Sequence, residues 1–260
     1  DYFKQGAIEF ALDCLATTMG LPQEKFAITV HDTDDEAYEI WNKVGVPTER
    51  IYRFGDQDNW WGPPIHGVEG PCGPCSELHY DFGADKGCVS TDCGPNCTNK
   101  IKDTGEICDR FVELWNLVFM QFYRNPDGTR DKLPAPGIDT GMGLERLAVV
   151  LQGTSTIYET DLFVPLVNRV EEISGLKFDE DDNVRYSTRV LAEHGRSAAF
   201  LIADGVVPSN EGRGYVLRRV LRRAIRHGRS LGIEGLFLGQ LAELVVNQMG
   251  DTYPELQNHN

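Results

Sequence analysis

The sequence has 260 residues, 41% of them hydrophobic and 25% charged, which is typical of a globular protein with one large or two ordinary domains. Acidic residues outnumber Lys and Arg by 40 to 25, and the net charge is −15. No apolar run reaches about 18 residues, which excludes a helical membrane span, and we expect neither a signal peptide nor a membrane partner.

The first part of the sequence predicts a mixture of helices and strands. Apolar residues repeat at helical spacing from Ile8 to Met19, and Gly20 ends that helix. The elements that follow are, in order, a strand at 26–30, a helix at 34–44, a Gly- and Pro-rich loop at 55–75 and a strand at 76–81.

Residues 83–107 form an insertion rich in Cys, Gly and Asp. The apolar run 111–123 predicts a central strand that is buried on both faces. Residues 125–128, Asn-Pro-Asp-Gly, predict a turn, so the next strand pairs antiparallel as a hairpin. That strand ends at 137–140, and a helix covers 143–151.

Helical patterns dominate from about residue 155 onward. The predicted helices are, in order, 160–174, 184–204, 214–231 and 234–249. We therefore predict an α+β domain over residues 1–153, followed by an all-helical domain over 154–260.

The helix predicted at 214–231 lies in a run of seven arginines without an acidic residue. At about 100° per residue, one half-turn carries Val216, Leu217, Val220, Leu221, Ala224 and Ile225, and the other carries Arg218, Arg219, Arg222, Arg223 and Arg226. Like charges four residues apart repel each other, and solvated helices normally mix signs. The pattern favours a polyanionic partner bound through phosphates over a plain solvated surface.

The segment from Gly141 to Arg146, Gly-Met-Gly-Leu-Glu-Arg, joins a predicted strand to a helix. Glycines let the backbone approach a ligand, and a helix N-terminus offers free N–H groups to an anion. A purely structural turn is the alternative that this short pattern leaves open.

The cysteines favour metal binding over disulfides. Seven are present without a secretion signal, which indicates a reducing, cytoplasmic setting. The spacing of Cys88, Cys93, Cys97 and Cys108 predicts one tetrahedral zinc site, with free thiols as the alternative. Cys72-Gly-Pro-Cys75 has the spacing of a redox pair, but a strand follows it where a helix is required.

Four segments with family-specific motifs occur in order along the chain: Gly70–Glu77, Leu114–Phe122, Gly137–Arg146 and Ala203–Ala224. Gly137–Arg146 resembles motif 3 of the class II aminoacyl-tRNA synthetases, in the form seen in the alanyl-tRNA synthetase family. The other three segments resemble that family's Gly-Pro loop, the strand before motif 3 and the tRNA-recognition segment. The resemblance covers essentially the whole chain.

The resemblance implies the antiparallel-sheet catalytic domain of a class II synthetase, present in part, followed by the helical tRNA-recognition domain. It implies activation of alanine with ATP and Mg²⁺ and transfer to tRNA(Ala). Motifs 1 and 2 of the family find no match, and the residues from Asp1 to Lys4 match only the tail after motif 2. We therefore expect the chain alone to be inactive, and a non-catalytic tRNA-binding module is the alternative.

The resemblance also implies an alanine pocket. Trp61 would form a wall, Val118 would line it, and Gly141 would leave room for a methyl group. Asp139 would accept the substrate ammonium and take part in activation. From the residues alone, Asp139 could instead cap a helix, and Trp61 and Val118 could be core residues.

The ATP site implied by the resemblance consists of Gly141, Gly143 and Arg146, with Arg146 on a phosphate. Glu113 and Asn116 are weaker candidates for contact with Mg²⁺ or substrate. Ordinary polar positions on a strand are the favoured alternative for both.

For tRNA, the resemblance implies that Asn210 reads the G·U pair of the acceptor stem. The residues that contact RNA phosphates would be Arg213, Arg218, Arg219, Arg222, Arg223 and Arg226. A helix-capping role is the alternative for Asn210.

Overall fold

The computed structural model describes residues 2–63, 68–88, 90–99 and 107–258. The chain divides into two compact units, Asp1–Gly153 and Thr154–Asn260. In the described residues the first unit combines helices with a sheet, and the second contains helices only. Residues 64–67 of the predicted loop, and residues 89 and 100–106 of the predicted insertion, lie outside the described residues, as does Asp1.

The first unit is built around one sheet. Its described strands are β1 (Phe26–His31), β2 (Ile51–Phe54), β3 (Trp60–Trp61), β4 (Gly70–Asp81), β5 (Phe111–Arg124) and β6 (Arg130–Met142). Their spatial order is β2-β1-β4-β5-β6, and β3 pairs with β4 off this path. The predicted hairpin is confirmed, because β5 and β6 pair antiparallel on either side of the turn.

The expectation of an antiparallel sheet is wrong at one edge, where β1 and β2 run parallel. Helix α2 (Asp35–Lys43) lies between them in the chain, and a helical crossover returns the chain in the same direction, whereas a hairpin reverses it. The sheet is therefore mixed.

Part of the predicted loop at 55–75 is regular structure. It contains helix α3 (Asp56–Asn59), strand β3 and the start of β4. The Gly-Pro-Cys-Gly-Pro-Cys segment lacks strand-forming residues, so its conformation depends on pairing with β5, with a bulge between Cys72 and Cys75. A Cβ at Gly73 would collide with the backbone carbonyl of Phe119, so the close approach requires glycine there.

Strand β5 is paired on both sides, by β4 and β6, but it is buried on both faces only over residues 117–119, and most of its other residues are half-buried. On that face Leu117 and Phe119 pack in a core with Ile8 of helix α1 (Phe3–Asp13) and Trp41 of α2. Helix α4 (Leu144–Gln152) joins the same core. The prediction of a strand buried on both faces therefore holds only for the middle of β5, and the half-buried positions on the face opposite this core are available for a site.

The second unit is a helical bundle. Its described helices are α5 (Val164–Ser174), α6 (Asp182–Ala203), α7 (Gly212–Ser230), α8 (Leu238–Met249) and α9 (Glu255–Asn258). Gly175 ends α5 in a left-handed conformation, and the Asp181 side chain caps α6 by accepting from the Val184 N–H. Phe163, Leu191 and Leu241 lie at the centre of its core. None of the helices in the described part of the chain has the length and apolar character that a membrane crossing requires.

Asp81 at the end of β4 is buried and binds two arginines. Arg110 donates to its carboxylate at 2.6 and 2.8 Å, and Arg50 donates at 3.0 Å. Burial raises the pKa of Asp81, but these hydrogen bonds outweigh it and lower the pKa to about 2. The contacts of the ionised Asp81 carboxylate with the two arginines therefore stabilise the fold at pH values above the pKa of Asp81 in the unfolded chain. This contribution is lost as the pH falls towards 2.

We expect Asp81→Asn to lower the free energy of unfolding by about 2 kcal/mol at neutral pH and to have almost no effect near the acid end of this window. Denaturant unfolding at a series of pH values measures this difference. Asp85→Asn, an exposed neighbour, is the matched control. An equal loss at every pH would contradict the assignment to the Asp81 carboxylate.

Candidate functional site

The sheet face opposite the core carries a row of residues that crosses four strands. Register partners along this row are Thr29 on β1, Glu77 on β4, Asn116 on β5 and Gly141 on β6. Directly opposed residues of antiparallel strands have Cβ positions about 5 Å apart and lie on the same side of the sheet. We call these four residues the polar row.

A second row lies beside the polar row on the same face. It consists of Cys75, Val118 and Asp139, which are partners across β4, β5 and β6. Val118 is buried, whereas Asp139 is exposed, and its carboxylate forms no hydrogen bond or ion pair with the described residues. The N-cap position of α4 belongs to Gly143, so the capping alternative for Asp139 is wrong.

The two glycines of the strand-to-helix segment have different surroundings. A Cβ at Gly141 would meet no atom within 4 Å, so the sheet face is open at this position. A Cβ at Gly143 would lie 3.2 Å from the side chain of Arg146. The open space is therefore at Gly141, two residues along β6 from Asp139.

Trp61 lies on β3 beside Gly73 of β4. Its side chain is 42% exposed, which excludes core packing. The neighbouring Trp60 is the structural tryptophan, because its ring packs against Phe122 and the guanidinium of Arg130 lies 3.8 Å from its centroid.

Sequence reasoning missed a hydrogen-bond network around Glu77. The Glu77 carboxylate accepts from Thr29 Oγ1 at 3.1 Å and lies 3.1 Å from His79 Nε2. Asn59 Nδ2 donates to Thr29 Oγ1 at 2.8 Å and to the Cys75 carbonyl at 3.3 Å. The alternation of residues 76–81 places Glu77 and His79 on one face, but only the pairing with β1 shows which face that is.

Three buried polar atoms on or near these rows have no hydrogen-bond partner among the described residues: Asn59 Oδ1, His79 Nδ1 and Asn116 Oδ1. An unsatisfied buried polar atom costs about 1–3 kcal/mol. The arrangement suits a polar ligand that supplies the missing partners.

Arg146 lies in the first turns of α4 and reaches back to β5. Its guanidinium donates to the Glu113 carboxylate at 2.9 Å and to the Glu113 carbonyl at 3.0 Å. Glu113 is therefore the ion-pair partner of Arg146, which corrects its interpretation as an ordinary polar strand position.

Cys72 and Cys75 do not form a redox pair. Both are buried in β4 with free thiols, and no helix begins between them. Burial raises the pKa of both, that of Cys75 to about 12, so both thiols are neutral at physiological pH.

The four cysteines predicted to bind zinc converge on one point. Their sulfur atoms all lie within 4.8 Å of one another, and the Cys88–Cys97 and Cys93–Cys108 pairs are 3.5 and 3.6 Å apart. Two of the four are buried and two are half-buried.

The basic residues of α7 are exposed as predicted, but the apolar face is narrower than the helical wheel indicates. Leu217 and Ala224 are buried, whereas Val216 and Ile225 are 53% and 43% exposed. Only the central stripe of α7 contacts the core of the second unit, so residues at its edges remain at the surface. Tyr215 is exposed in the same region.

Among the described residues, the arginines of α7 form no ion pairs with acidic side chains. In the described part of the chain, no ion pair to a carboxylate involves Arg213, Arg218, Arg219, Arg222, Arg223 or Arg226. Their surface is concave and includes Tyr215, Val216 and Ile225. Uncompensated positive charge beside exposed apolar groups is suited to a nucleic-acid backbone and its bases.

Asn210 lies directly before this helix. The N-cap residue of α7 is Glu211, and no side chain caps the helix, so the capping alternative for Asn210 is wrong. The Asn210 side-chain oxygen instead accepts a hydrogen bond from Arg218.

The strand-to-helix segment at the edge of this sheet face carries the residues that resemble motif 3 of the class II aminoacyl-tRNA synthetases. A sequence profile described as tRNA synthetases class II (A) matches residues 1–260, and the chain belongs to this family. This confirms the class that the four motifs predict.

Proteins similar to this chain include alanine–tRNA ligases. That of Dehalococcoides mccartyi is 49% identical over 257 residues, that of Oleidesulfovibrio alaskensis 51% over 258, and that of Desulfosudis oleivorans 48% over 260. These alignments cover 98–100% of this chain but 28% of each relative. The chain thus spans less than a third of the length of these ligases.

Proposed function

We propose that the protein acts in alanine–tRNA ligation in the cytoplasm, activating alanine with ATP and transferring it to tRNA(Ala). Residues 1–153 are the C-terminal part of the aminoacylation domain, and residues 154–260 are the tRNA-recognition domain. The observation that carries this proposal is the Asp139 carboxylate, which has no partner in the described part of the chain and lies beside the open position at Gly141. The similarity to alanine–tRNA ligases over nearly the whole chain supports it.

The amino-acid substrate binds on the second row. The Asp139 carboxylate accepts a charge-assisted hydrogen bond from the substrate ammonium group. Among the described residues no cationic side chain is paired with Asp139, so none has to be displaced first. Val118 and Trp61 flank the substrate, and the methyl group occupies the space at Gly141. A small apolar site of this kind separates alanine from glycine or serine only modestly, because one methyl or hydroxyl group contributes about 1–3 kcal/mol.

Activation requires the alanine carboxylate to attack the α-phosphate of ATP, which forms alanyl-adenylate and releases pyrophosphate. The residues position the reactants and neutralise charge rather than form a covalent intermediate. Gly141 and Gly143 bring the backbone close to the nucleotide, and Arg146 turns from Glu113 to a phosphate. The Glu113 carboxylate, released in this exchange, becomes available to a cation.

Two oxygen donors on β5 fit Mg²⁺. The Glu113 carboxylate and the unpartnered Asn116 Oδ1 are oxygen donors, which Mg²⁺ prefers. These two residues would hold the ion together with ATP phosphates. Bound there, Mg²⁺ supplies charge neutralisation to the phosphates.

The tRNA acceptor stem binds to α7. The arginines contact phosphates and position the RNA without specifying its sequence. Asn210 reads the G·U pair in the shallow minor groove, because its amide offers both a donor and an acceptor. Arg218 orients the Asn210 side chain in the free protein.

The position of the substrate methyl group can be tested with Gly141→Ala. The new Cβ meets no protein atom within 4 Å, so stability should be unchanged. In the proposed complex it overlaps the substrate methyl, which should cost about 1–3 kcal/mol, or roughly 5- to 150-fold in kcat/KM for alanine, and less for glycine. Steady-state activation of both amino acids, by a form of the protein that extends to the length of the relatives, measures the ratio.

Gly137→Ala is the matched control for this variant, because it lies on the same strand and its Cβ also meets no atom within 4 Å. Gly137→Ala should leave kcat/KM unchanged for both alanine and glycine. An unchanged alanine-to-glycine ratio in Gly141→Ala would place the methyl group elsewhere.

A non-catalytic tRNA-binding module is the second candidate, favoured by the arginines of α7, which have no carboxylate partner among the residues that the structure describes. Charging of tRNA(Ala) with labelled alanine distinguishes the two functions, measured on this chain and on a longer form that extends to the length of the relatives. The ligase predicts charging by the longer form. Tight tRNA binding without charging by either form would favour the module.

A further inference from the structure

The spacing of the four sulfur atoms of Cys88, Cys93, Cys97 and Cys108 matches a metal tetrahedron. A zinc–sulfur bond of about 2.3 Å places tetrahedral ligands about 3.8 Å apart. Two of the sulfur pairs lie at 3.5 and 3.6 Å, and every pair is within 4.8 Å. Little movement is needed to surround one ion.

Backbone N–H groups are directed at these sulfurs. The Cys88 N–H donates to Cys108 Sγ at 3.3 Å. The backbone N–H of Ser90 donates a hydrogen bond to Cys88, and that of Asn99 donates to Cys97. In each case the donor lies two residues after the cysteine. Hydrogen bonds of this kind orient metal ligands and stabilise thiolate charge.

A cation lies beside the cluster. Arg110, two residues after the last cysteine, contacts Cys93 and also binds Asp81 at the end of β4 through two hydrogen bonds. Four thiolates and Zn²⁺ carry a net negative charge, which the Arg110 guanidinium offsets in part. The same side chain joins the cluster to the edge of the sheet.

We propose that Cys88, Cys93, Cys97 and Cys108 bind one zinc ion in a closed structural site. Four protein ligands leave no open coordination position, so the ion has no role in alanine activation. Its role is to hold together the segment that connects β4 to β5, where the metal-bound cysteines do the work of an apolar core. This site is independent of the proposed ligase function.

Two other states of the cluster must be distinguished from zinc. The sulfur pairs at 3.5 and 3.6 Å are close enough to form two disulfides after small movements, and the thiols could also remain free. Each state has its own metal content, mass and thiol reactivity. The intact protein, purified without chelator and without a thiol reductant, is the sample for all three measurements.

Elemental analysis should give about one zinc per chain. In the native protein the four ligand thiols should react with a thiol reagent only after a chelator is added. Substitution by Co²⁺ should produce the visible absorption of a tetrahedral thiolate site. Removal of zinc should lower the midpoint of thermal unfolding.

Cys93→Ser should lose zinc, while Cys14→Ser, the control at a half-buried free cysteine, should keep it. If Cys93→Ser does not fold, the metal content and chelator-dependent reactivity of the unmodified protein still decide. Zinc-free protein with four freely reactive thiols, or a mass lowered by two disulfides, would overturn the proposal.

Discussion

In the longer form of the protein, Asp139→Asn is expected to raise the KM for alanine by roughly 30- to 900-fold, corresponding to about 2–4 kcal/mol for removal of one partner of a charge pair that substrate binding desolvates. The substitution keeps the shape of the side chain and removes its charge. Since Asp139 is exposed and has no protein partner among the described residues, the variant should fold with unchanged stability. Alanine activation measured over a wide range of alanine concentrations tests the expectation.

The control for this variant is Asp131→Asn on the same strand. Asp131 is also exposed, and it accepts a hydrogen bond from Asn125 in the hairpin at 2.8 Å. The Asp131→Asn variant should leave the KM for alanine unchanged. An unchanged KM in Asp139→Asn would remove Asp139 from the substrate site, and a raised KM in both variants would indicate a general effect of charge on β6.

Asn210→Ala is expected to reduce the preference for a G·U over a G·C acceptor stem by roughly 5- to 150-fold, or about 1–3 kcal/mol for one base-edge contact. The salt dependence of binding should stay the same, because no phosphate contact is lost. Since Asn210 does not cap α7, thermal stability should also be unchanged. Binding of the two stems at several salt concentrations measures both quantities.

Arg222→Ala provides the contrast for this experiment. It should weaken both stems alike and reduce the slope of log K against log salt by about one unit. Asn168→Ala, an exposed site on α5, controls for loss of a surface amide. If Asn210→Ala keeps the G·U preference, recognition must lie with other residues of the helical unit.

The strand that carries Val118 could be predicted from sequence, but its register with β6 could not. The turn at 125–128 predicts the hairpin, and the pairing beside it, Arg124 with Arg130, would pair Val118 with Pro136 if it continued without a break. The observed partner is Asp139, because the register shifts between Met120 and Phe122. Two prolines of β6, which cannot donate backbone hydrogen bonds, lie in this region and disrupt regular pairing.

The polar row could not be predicted from the sequence, because it is formed by residues that are distant in the chain. Glu77 and Thr29 are 48 residues apart, and nothing local in either segment indicates that they meet. The parallel β1–β2 pair was missed for the same reason. By contrast, the spacing of the cysteines and the arginines carries information within short segments, and the structure brings each of these sets together.

The helical wheel of α7 identified the basic face but not the buried one. The helical period gives the direction of each side chain. It does not give the width of the stripe that the neighbouring helices bury. Val216 and Ile225 lie at the edge of the buried stripe, so the packing of the second unit decides their exposure.

Amino-acid-dependent exchange of pyrophosphate into ATP tests the central claim most directly. The assay uses the longer form of the protein with each of the common amino acids in turn. We predict the highest kcat/KM with alanine, lower values with glycine and serine, and no exchange with larger side chains, which exceed the space at Gly141. Exchange that is highest with a larger amino acid, or absent from a folded protein that binds tRNA(Ala), would contradict the assignment of this sheet face to alanine activation.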